Sequence, residues 1–340
     1  MSQLTFRLSV PPVSGVLRPR LILVCLGLAS ATFLAFCLGV GLGEVPLGLG
    51  EVIQSLVGAG DQGTLFVVRE LRLPRALTGL LAGVAFGASG ALFQTMTRNP
   101  LASPDMIGVT QGAGLAVVAA IVLGFGGGLQ VLGFAGAVAV ALLTYLLAWR
   151  RGTTGYRIVL VGVGVSWMCT SATEYLMVTS GDFQAHQALG WLFGNLNGRD
   201  WGHVGPLALA LAVLMPVTLM LGRWTRVLQL GDEVAVVLGT PVQAARLTLL
   251  AAGVALVAFG TAAAGPVAFV ALAAPQIAQR LARTAWPPPL AAGLAGAFIV
   301  VAADLVARLL IPDVELPVGV VTGVLGAPLL LWLLARSRRR

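Results

Sequence analysis

Long apolar runs separated by short polar stretches dominate the chain. We count ten runs, each close to the ~20 residues that an α-helix needs to cross ~30 Å of hydrocarbon, although the eighth is short and contains Pro275. The pattern predicts an all-α polytopic membrane protein with one transmembrane domain, residues 1–340. The predicted segments are 21–42, 73–96, 105–124, 129–149, 157–178, 204–222, 244–265, 267–283, 289–310 and 317–335.

The distribution of arginine predicts the orientation. An even number of helices places both termini on one side, and cytoplasmic termini leave sixteen arginines inside and only five outside. The apolar run 21–42 is longer than the core of a signal peptide, so we expect an uncleaved first helix. The external arginines are Arg69, Arg72, Arg75, Arg199 and Arg308.

Composition supports the membrane class and limits the chemistry. The chain of 340 residues is 58% hydrophobic and 10% charged, whereas a soluble domain has about 25% charged residues. All 21 basic residues are arginine, so a GxxxxGK[ST] phosphate-binding loop is excluded and any ATP must be hydrolysed by another polypeptide. We assign no catalytic residue and no cofactor. We also assign no metal, because His186 and His203 lack the spacing of zinc ligands.

A weak internal sequence similarity indicates two halves, roughly 21–178 and 204–335. Residues 79–93 resemble residues 249–265, five segments later, and an odd offset gives the two halves opposite topology. Helices rich in Ala, Gly and Leu also resemble one another by chance. The inverted repeat of two five-helix halves is therefore one of two open interpretations.

Several motifs occur in order along nearly the whole chain. They are RLPR at 72–75, SGALFQ at 89–94, RNPLASPD at 98–105, DLVAR at 304–308 and ELPVGVVTGVLGAP at 315–328. Together they resemble FecCD-like permease subunits of bacterial iron-siderophore and cobalamin ABC importers. The sequence departs from that family at Gln276, where His is usual.

The resemblance implies a non-catalytic transport subunit in the bacterial inner membrane. It implies a second permease subunit, identical or related, two separate ATPase subunits, and a periplasmic or lipoprotein substrate-binding protein. The implied cargo is a ferric siderophore, with a pattern nearer to catecholate-siderophore permeases, while cobalamin and haem stay open as alternatives. A secondary transporter driven by an ion gradient is the rival class, and it would need an intramembrane acid such as Glu174 or Asp304.

The external arginines are the first candidate site. The resemblance implies that Arg72, Arg75 and Arg308 dock the binding protein through salt bridges with its acidic residues, a task that suits guanidinium. The alternative is snorkelling, or pairing with Glu70 or Asp304.

Two cytoplasmic stretches are the other candidates. Within the segment 223–242, Asp232 and Glu233 suit the first turn of a short helix that ends near Gly239. This stretch resembles the coupling motif that contacts the ATPase in ABC importers, and an amphipathic loop on the membrane is the alternative. The motif consists of Gly231, Asp232, Glu233, Ala235, Leu238 and Gly239.

The elbow after the second apolar segment contains Asn99, Pro100 and Leu101. Proline restricts the backbone there, and Asn-Pro is also a common turn. By resemblance alone, these three residues form a cytoplasmic gate.

Overall fold

The computed structural model describes residues 4–8, 13–43, 47–125, 127–149, 155–311 and 315–337. Helices dominate these residues, and a π-helical turn (Val67–Arg72) joins α3 to α4. In chain order the helices are α1 (Pro19–Gly41), α2 (Leu49–Val57), α3 (Gln62–Phe66), α4 (Leu73–Thr97), α5 (Val109–Val122), α6 (Leu129–Ala148), α7 (Gly155–Thr179), α8 (Asp182–Leu192), α9 (Trp201–Met220), α10 (Gly222–Leu228), α11 (Asp232–Val237), α12 (Val242–Ala264), α13 (Val270–Ala282), α14 (Pro289–Leu309) and α15 (Val318–Ser337).

Each predicted apolar segment overlaps one of these helices, which confirms the polytopic all-α prediction. Seven helical stretches are long and apolar enough to cross a membrane. Helix α5 (Val109–Val122) and the first part of α15 (Val318–Pro328) are shorter apolar stretches. Helix α13 has 13 residues and contains Pro275, as the short eighth segment indicated. The ten helices that match the segments are α1, α4, α5, α6, α7, α9, α12, α13, α14 and α15.

The structure also contains elements that the apolar pattern does not predict. Two short strands, β1 (Leu4–Leu8) and β2 (Val13–Leu17), pair in antiparallel fashion before α1. Helices α2 and α8 lie between predicted apolar segments, on the side that the predicted orientation makes external. Both begin with a local cap: the Glu51 carboxylate accepts a hydrogen bond from the Gly48 amide at 2.8 Å, and Gln184 accepts one from the Gly181 amide at 3.3 Å.

Helix α4 lies at the centre of the bundle. Together with α3 it forms one continuous helical stretch, Gln62–Thr97. In the most apolar 18 residues of that stretch 78% of the residues are buried, against 17% in the corresponding part of α1. It packs against α9, α12, α13 and α14, whereas α5 packs mainly against α6 and α7. The segment that begins with RLPR and ends at the cytoplasmic elbow is therefore the core of the fold.

Glycine allows α4 and α14 to approach each other at backbone distance. A Cβ atom on Gly83 would lie 2.5 Å from the carbonyl oxygen of Gly296, and one on Gly87 would overlap the carbonyl of Ala292. Small residues at such spacing let helices pack closely in lipid, where dispersion contacts replace the hydrophobic effect between helices. Helix packing thus accounts for the regularly spaced glycines of α4.

The two segments with internal sequence similarity, 79–93 and 249–265, contact each other. The Ser89 hydroxyl donates a hydrogen bond to the Gly253 carbonyl at 2.7 Å. Gly253 on α12 lies near Phe93, and Gly260 lies near Ala85, so the two helices run antiparallel. Antiparallel packing is what an inverted repeat requires, and the repeat itself stays a prediction.

We expect Gly83→Ala to destabilise the protein because the new methyl group would meet only backbone atoms of Gly296 and Ala297. Overpacking of this kind costs about 1–3 kcal/mol. Thermal unfolding in detergent should therefore show a lower midpoint for the variant.

Gly164→Ala is the matched control. Gly164 lies on the exposed side of α7, and a Cβ atom there would have no neighbour within 4 Å. Alanine at such a position should leave the midpoint unchanged or raise it slightly. Equal midpoints for Gly83→Ala and Gly164→Ala would contradict the close packing of α4 against α14.

Candidate functional site

Arg75 and Asp304 form a buried ion pair at the external end of α4. The Nε and Nη2 atoms of Arg75 donate to Oδ1 of Asp304 at 3.1 and 3.0 Å. The Nη1 atom of Arg75 donates to both carboxylate oxygens of Glu315 at 3.0 Å. The Asp304 side chain is 5% exposed and that of Glu315 is 35% exposed, so only the second acid is open to a partner.

Arg308 and Arg72 join this cluster through the end of α1. Arg308 Nε lies 3.3 Å from the other oxygen of Asp304, and its Nη2 donates to the Gly39 carbonyl at 3.0 Å. Arg72 Nη1 donates to the carbonyls of Val40 and Gly41 at 3.1 and 3.0 Å. Guanidinium groups suit this position because the last carbonyls of a helix lack intrahelical partners and carry partial negative charge.

The structure thus brings together all three arginines predicted to dock a binding protein. It also contains the alternative contact, because Arg75 and Arg308 both pair with Asp304. Glu315 and the α1 carbonyls are additional partners of the three arginines. We name Arg72, Arg75, Arg308, Asp304 and Glu315 the external cluster. Docking by this cluster stays a prediction.

The two remaining external arginines make local contacts. Arg69 donates to the carbonyls of Ser55 and Leu56 at 2.7 and 2.8 Å, at the end of α2. Arg199 donates to the Asn195 carbonyl at 3.0 Å. Nearby, Nδ1 of His203 lies 2.6 Å from Oδ1 of Asp200, and this hydrogen bond lowers the pKa of that carboxyl group.

The coupling motif forms the predicted short helix, α11. Gly231 precedes it with a φ of 107°, and Gly239 follows it with a φ of 73°, which explains why both positions are glycine. Ala235 is fully buried against the protein, whereas Val234, Val237 and Leu238 are exposed. A helix with an apolar surface open to the cytoplasm is suited to contact another protein.

Asp232 connects α11 to two other parts of the cytoplasmic face. Its carboxylate accepts hydrogen bonds from Arg246 Nη2 of α12 at 2.9 and 3.1 Å. Arg98, at the end of α4, approaches the same carboxylate at 3.5 Å. The predicted coupling motif and the predicted elbow therefore meet at one acid, which sequence analysis placed only in the first turn of α11.

The elbow itself is a tight, exposed turn. Arg98 adopts a left-handed conformation with a φ of 52°, which ends α4. The Asn99 side chain then accepts a hydrogen bond from the Leu101 amide at 2.9 Å, and the Asn99 carbonyl accepts one from Ala102 at 3.1 Å. Asn99 and Pro100 are exposed, and Leu101 is half-buried.

A cleft of about 540 Å³ lies between the start of α5, the segment before α13, and α15. Three polar residues line it, Asp105, Thr110 and Gln111, and the Thr110 hydroxyl donates to the Asp105 carboxylate. The Oε1 atom of Gln111 is buried without a hydrogen-bond partner among the described residues. Sequence analysis missed this group, although polar residues that begin an apolar segment are a usable signal.

The bundle of long apolar helices defines a polytopic membrane protein. Residues 31–336 match the model of the FecCD transport family. The chain belongs to the FecCD transport family, which confirms the resemblance found in its motifs.

Two curated relatives and one solved structure document the similarity. The chain is 40% identical over 324 residues to the ferric enterobactin transport system permease protein FepG of Escherichia coli K12, covering 94% of this chain and 98% of that protein. It is 40% identical over 288 residues to the vitamin B12 import system permease protein BtuC of Yersinia enterocolitica, covering 82% and 84%. A structure described as an inward-facing metal-chelate type ABC transporter superimposes with a TM-score of 0.81 at 25% identity, covering 93% and 99%.

Asp304→Asn should destabilise the protein strongly, because it removes the carboxylate that two buried arginines share. Breaking a buried ion pair by removing one partner costs about 3–5 kcal/mol. The thermal midpoint in detergent should fall well below that of the parent protein.

Glu315→Gln is the control, since this acid contacts only Arg75 among the described arginines and is partly exposed. It should lower the midpoint much less than Asp304→Asn does. Equal effects of the two substitutions would argue against Asp304 as the centre of the external cluster.

Proposed function

We propose that this chain is the permease subunit of an ABC importer that carries ferric-siderophore chelates across the bacterial inner membrane. The observation with most weight is its similarity to the ferric enterobactin permease over 98% of that relative. In this proposal the chain performs no bond chemistry. A substrate-binding protein delivers the cargo, and separate ATPase subunits supply the energy, because the lysine-free chain has no phosphate-binding loop of the GxxxxGK[ST] type.

The proposed contact with the ATPase is α11. Val237 and Leu238 would enter a groove of the ATPase, with Glu233 at the rim, while Ala235 holds the helix against the permease. Asp232 would transmit a displacement of α11 to the permease. Its pair with Arg246 joins α11 to α12, and its approach to Arg98 joins α11 to the elbow. Gly231 and Gly239 set the ends of the moving helix.

The proposed path for cargo runs between this subunit and a second permease subunit, either a copy or a close relative. The cleft lined by Asp105, Thr110 and Gln111 would be one wall of that path. Asn99, Pro100 and Leu101 would close its cytoplasmic end. Because these three residues adjoin Arg98, a displacement of α11 would reach them through a single ion pair.

The proposed docking site for the binding protein is the external cluster. Arg72, Arg75 and Arg308 are mostly buried, so docking requires that an acid of the partner replaces an internal one. Glu315 is the acid to be replaced, since it is the exposed member of the cluster and contacts Arg75 at 3.0 Å. Such charge pairs govern the association rate and the register more than the affinity.

Cobalamin is the second candidate cargo, favoured by the 40% identity to a vitamin B12 permease. The rival class, a carrier driven by an ion gradient, would need an intramembrane acid that can take up and release a proton. Asp304 already has a structural role, because it forms ion pairs with both Arg75 and Arg308. Coupling to an ATPase also gives the exposed apolar surface of α11 a function.

Val237→Asp should reduce ATPase co-purification and ATP-dependent uptake together, by about tenfold or more, because it places a charge in an apolar contact. Uptake of ferric enterobactin and of cyanocobalamin should be measured separately in proteoliposomes that contain the full importer. We expect the ferric chelate to be the transported cargo.

Val57→Asp is the matched control, because Val57 on α2 is 77% exposed on the external side and Val237 is 86% exposed. It should leave both measurements unchanged. Uptake by Val237→Asp that persists without the ATPase and stops with an uncoupler would favour the secondary carrier. Transport of cyanocobalamin alone would overturn the siderophore assignment.

Glu315→Gln and Arg75→Gln should change capture by the binding protein in opposite directions. The first releases Arg75 for an incoming carboxylate and should raise the association rate, whereas the second removes the docking charge and should lower it. The rates should be measured at low and high salt, since screening weakens exposed charge pairs.

A cluster with a purely structural role predicts a different outcome. Both substitutions would then lower the thermal midpoint and shift capture in the same direction, or leave capture unchanged. That result would remove Arg72, Arg75 and Arg308 from the docking surface.

A further inference from the structure

A second cavity, of about 350 Å³, lies at the cytoplasmic end of the bundle, and none of its lining residues belongs to the cleft or to α11. It is bounded by the start of α1, the end of α9, the first turns of α10, and the turn between α13 and α14. Its polar lining comes from Arg18, Arg226, Thr218, Thr225, Thr284 and Trp286, and the Thr225 hydroxyl donates to the Gly222 carbonyl.

The two arginines that line this cavity have no acidic partner among the described residues. The Arg18 guanidinium carbon lies 4.4 Å from the ring centroid of Trp286. Arg226 donates through Nε to the Gly222 carbonyl at 3.1 Å, a contact within its own helix. No acid lines the cavity, in contrast to the carboxylate contacts of Arg75, Arg246 and Arg308. The cavity therefore concentrates positive charge that the described part of the chain leaves uncompensated.

A buried hydroxyl adds a second polar feature. Thr218, in the last turn of α9, is fully buried, and its Oγ1 atom has no hydrogen-bond partner among the described residues. A buried hydroxyl without a hydrogen-bond partner is destabilising, so an occupant that accepts its hydrogen bond would stabilise the site. Thr284 is already satisfied, because its hydroxyl donates to the Trp286 carbonyl at 2.7 Å.

The remaining lining is apolar and continues onto the outer surface of the bundle. Leu21, Ile22 and Leu219 border the cavity, and Ile22 and Leu219 are both exposed on the helical surface. Tryptophan and arginine commonly lie at the level of the lipid headgroups, the first as an anchor and the second as a contact for anionic lipid. Positive charge, a free hydroxyl and an adjoining apolar surface fit an anion with hydrocarbon chains better than a soluble anion.

We propose that this cavity binds the phosphodiester headgroup of an anionic phospholipid of the cytoplasmic leaflet. Arg18 and Arg226 contact the phosphate oxygens, and the Thr218 hydroxyl donates to one of them. The acyl chains lie along Ile22 and Leu219. Because three residues separate the end of α10 from the start of α11, the bound lipid braces the part of the chain next to the proposed ATPase contact, a consequence that rests on the proposed function.

The test compares phosphatidylglycerol binding by the full-length protein in detergent, measured by native mass spectrometry. Each arginine near an anionic lipid surface contributes roughly a fivefold gain in affinity, so the double variant Arg18→Gln/Arg226→Gln should bind about 30-fold more weakly. The single variants should each lose about fivefold, and Thr218→Val should weaken binding with both arginines intact. Replacing both arginines with lysine should restore most of the affinity.

Arg223→Gln is the matched control, because Arg223 is on the same short helix but lies 5.5 Å from the ring of Trp224 and outside the cavity. It should bind phosphatidylglycerol like the parent protein. Unchanged affinity in the double variant would overturn the proposal. Displacement of the lipid by millimolar inorganic phosphate would assign the site to a soluble anion, and loss of ATPase co-purification with unchanged lipid binding would assign it to the ATPase.

Discussion

Two carboxylates from the second half of the chain hold the two ends of α4. Arg75, in the first turn of α4, pairs with Asp304, and Arg98, directly after its last residue, pairs with Asp232. Charged groups at the ends of a membrane helix need either water or a partner within the protein. The position of α4, and therefore of the helices packed on it, depends mainly on the buried pair of Arg75 with Asp304.

Between those ends, the same helix is fixed by contact at backbone distance. Gly83 and Gly87 lie against α14, and Ser89 donates a hydrogen bond to α12. Side chains larger than a hydrogen atom would separate α4 from α14 and would also displace Asp304, which α14 contributes to the external cluster. Packing and charge pairing thus act on the same two helices, because α14 contributes both the backbone next to Gly83 and the carboxylate of Asp304.

The sequence predicted most of the fold, because membrane helices are defined by a local property, the length of an apolar run. It did not predict α2 and α8, which are too short to span a membrane and begin with local caps. Contacts between helices were harder. Pairing of Arg75 with Asp304 was one of the predicted alternatives, whereas Arg246 as the partner of Asp232 was not considered. Motif order identified the family, but only the folded structure shows that Asp105, Thr110 and Gln111 line one cleft with residues of α15.

The two ion pairs at the ends of α4 differ in how much their separation costs. The Arg75–Asp304 pair is buried, so its separation would leave charges in a medium of low dielectric constant. The Arg98–Asp232 pair is 3.5 Å apart, with side chains 47% and 39% exposed, and such pairs contribute little to stability. Asp232 keeps its contact with the buried Arg246 when Arg98 leaves. The external end of α4 is therefore the fixed end, and the elbow at Asn99 is where movement costs least.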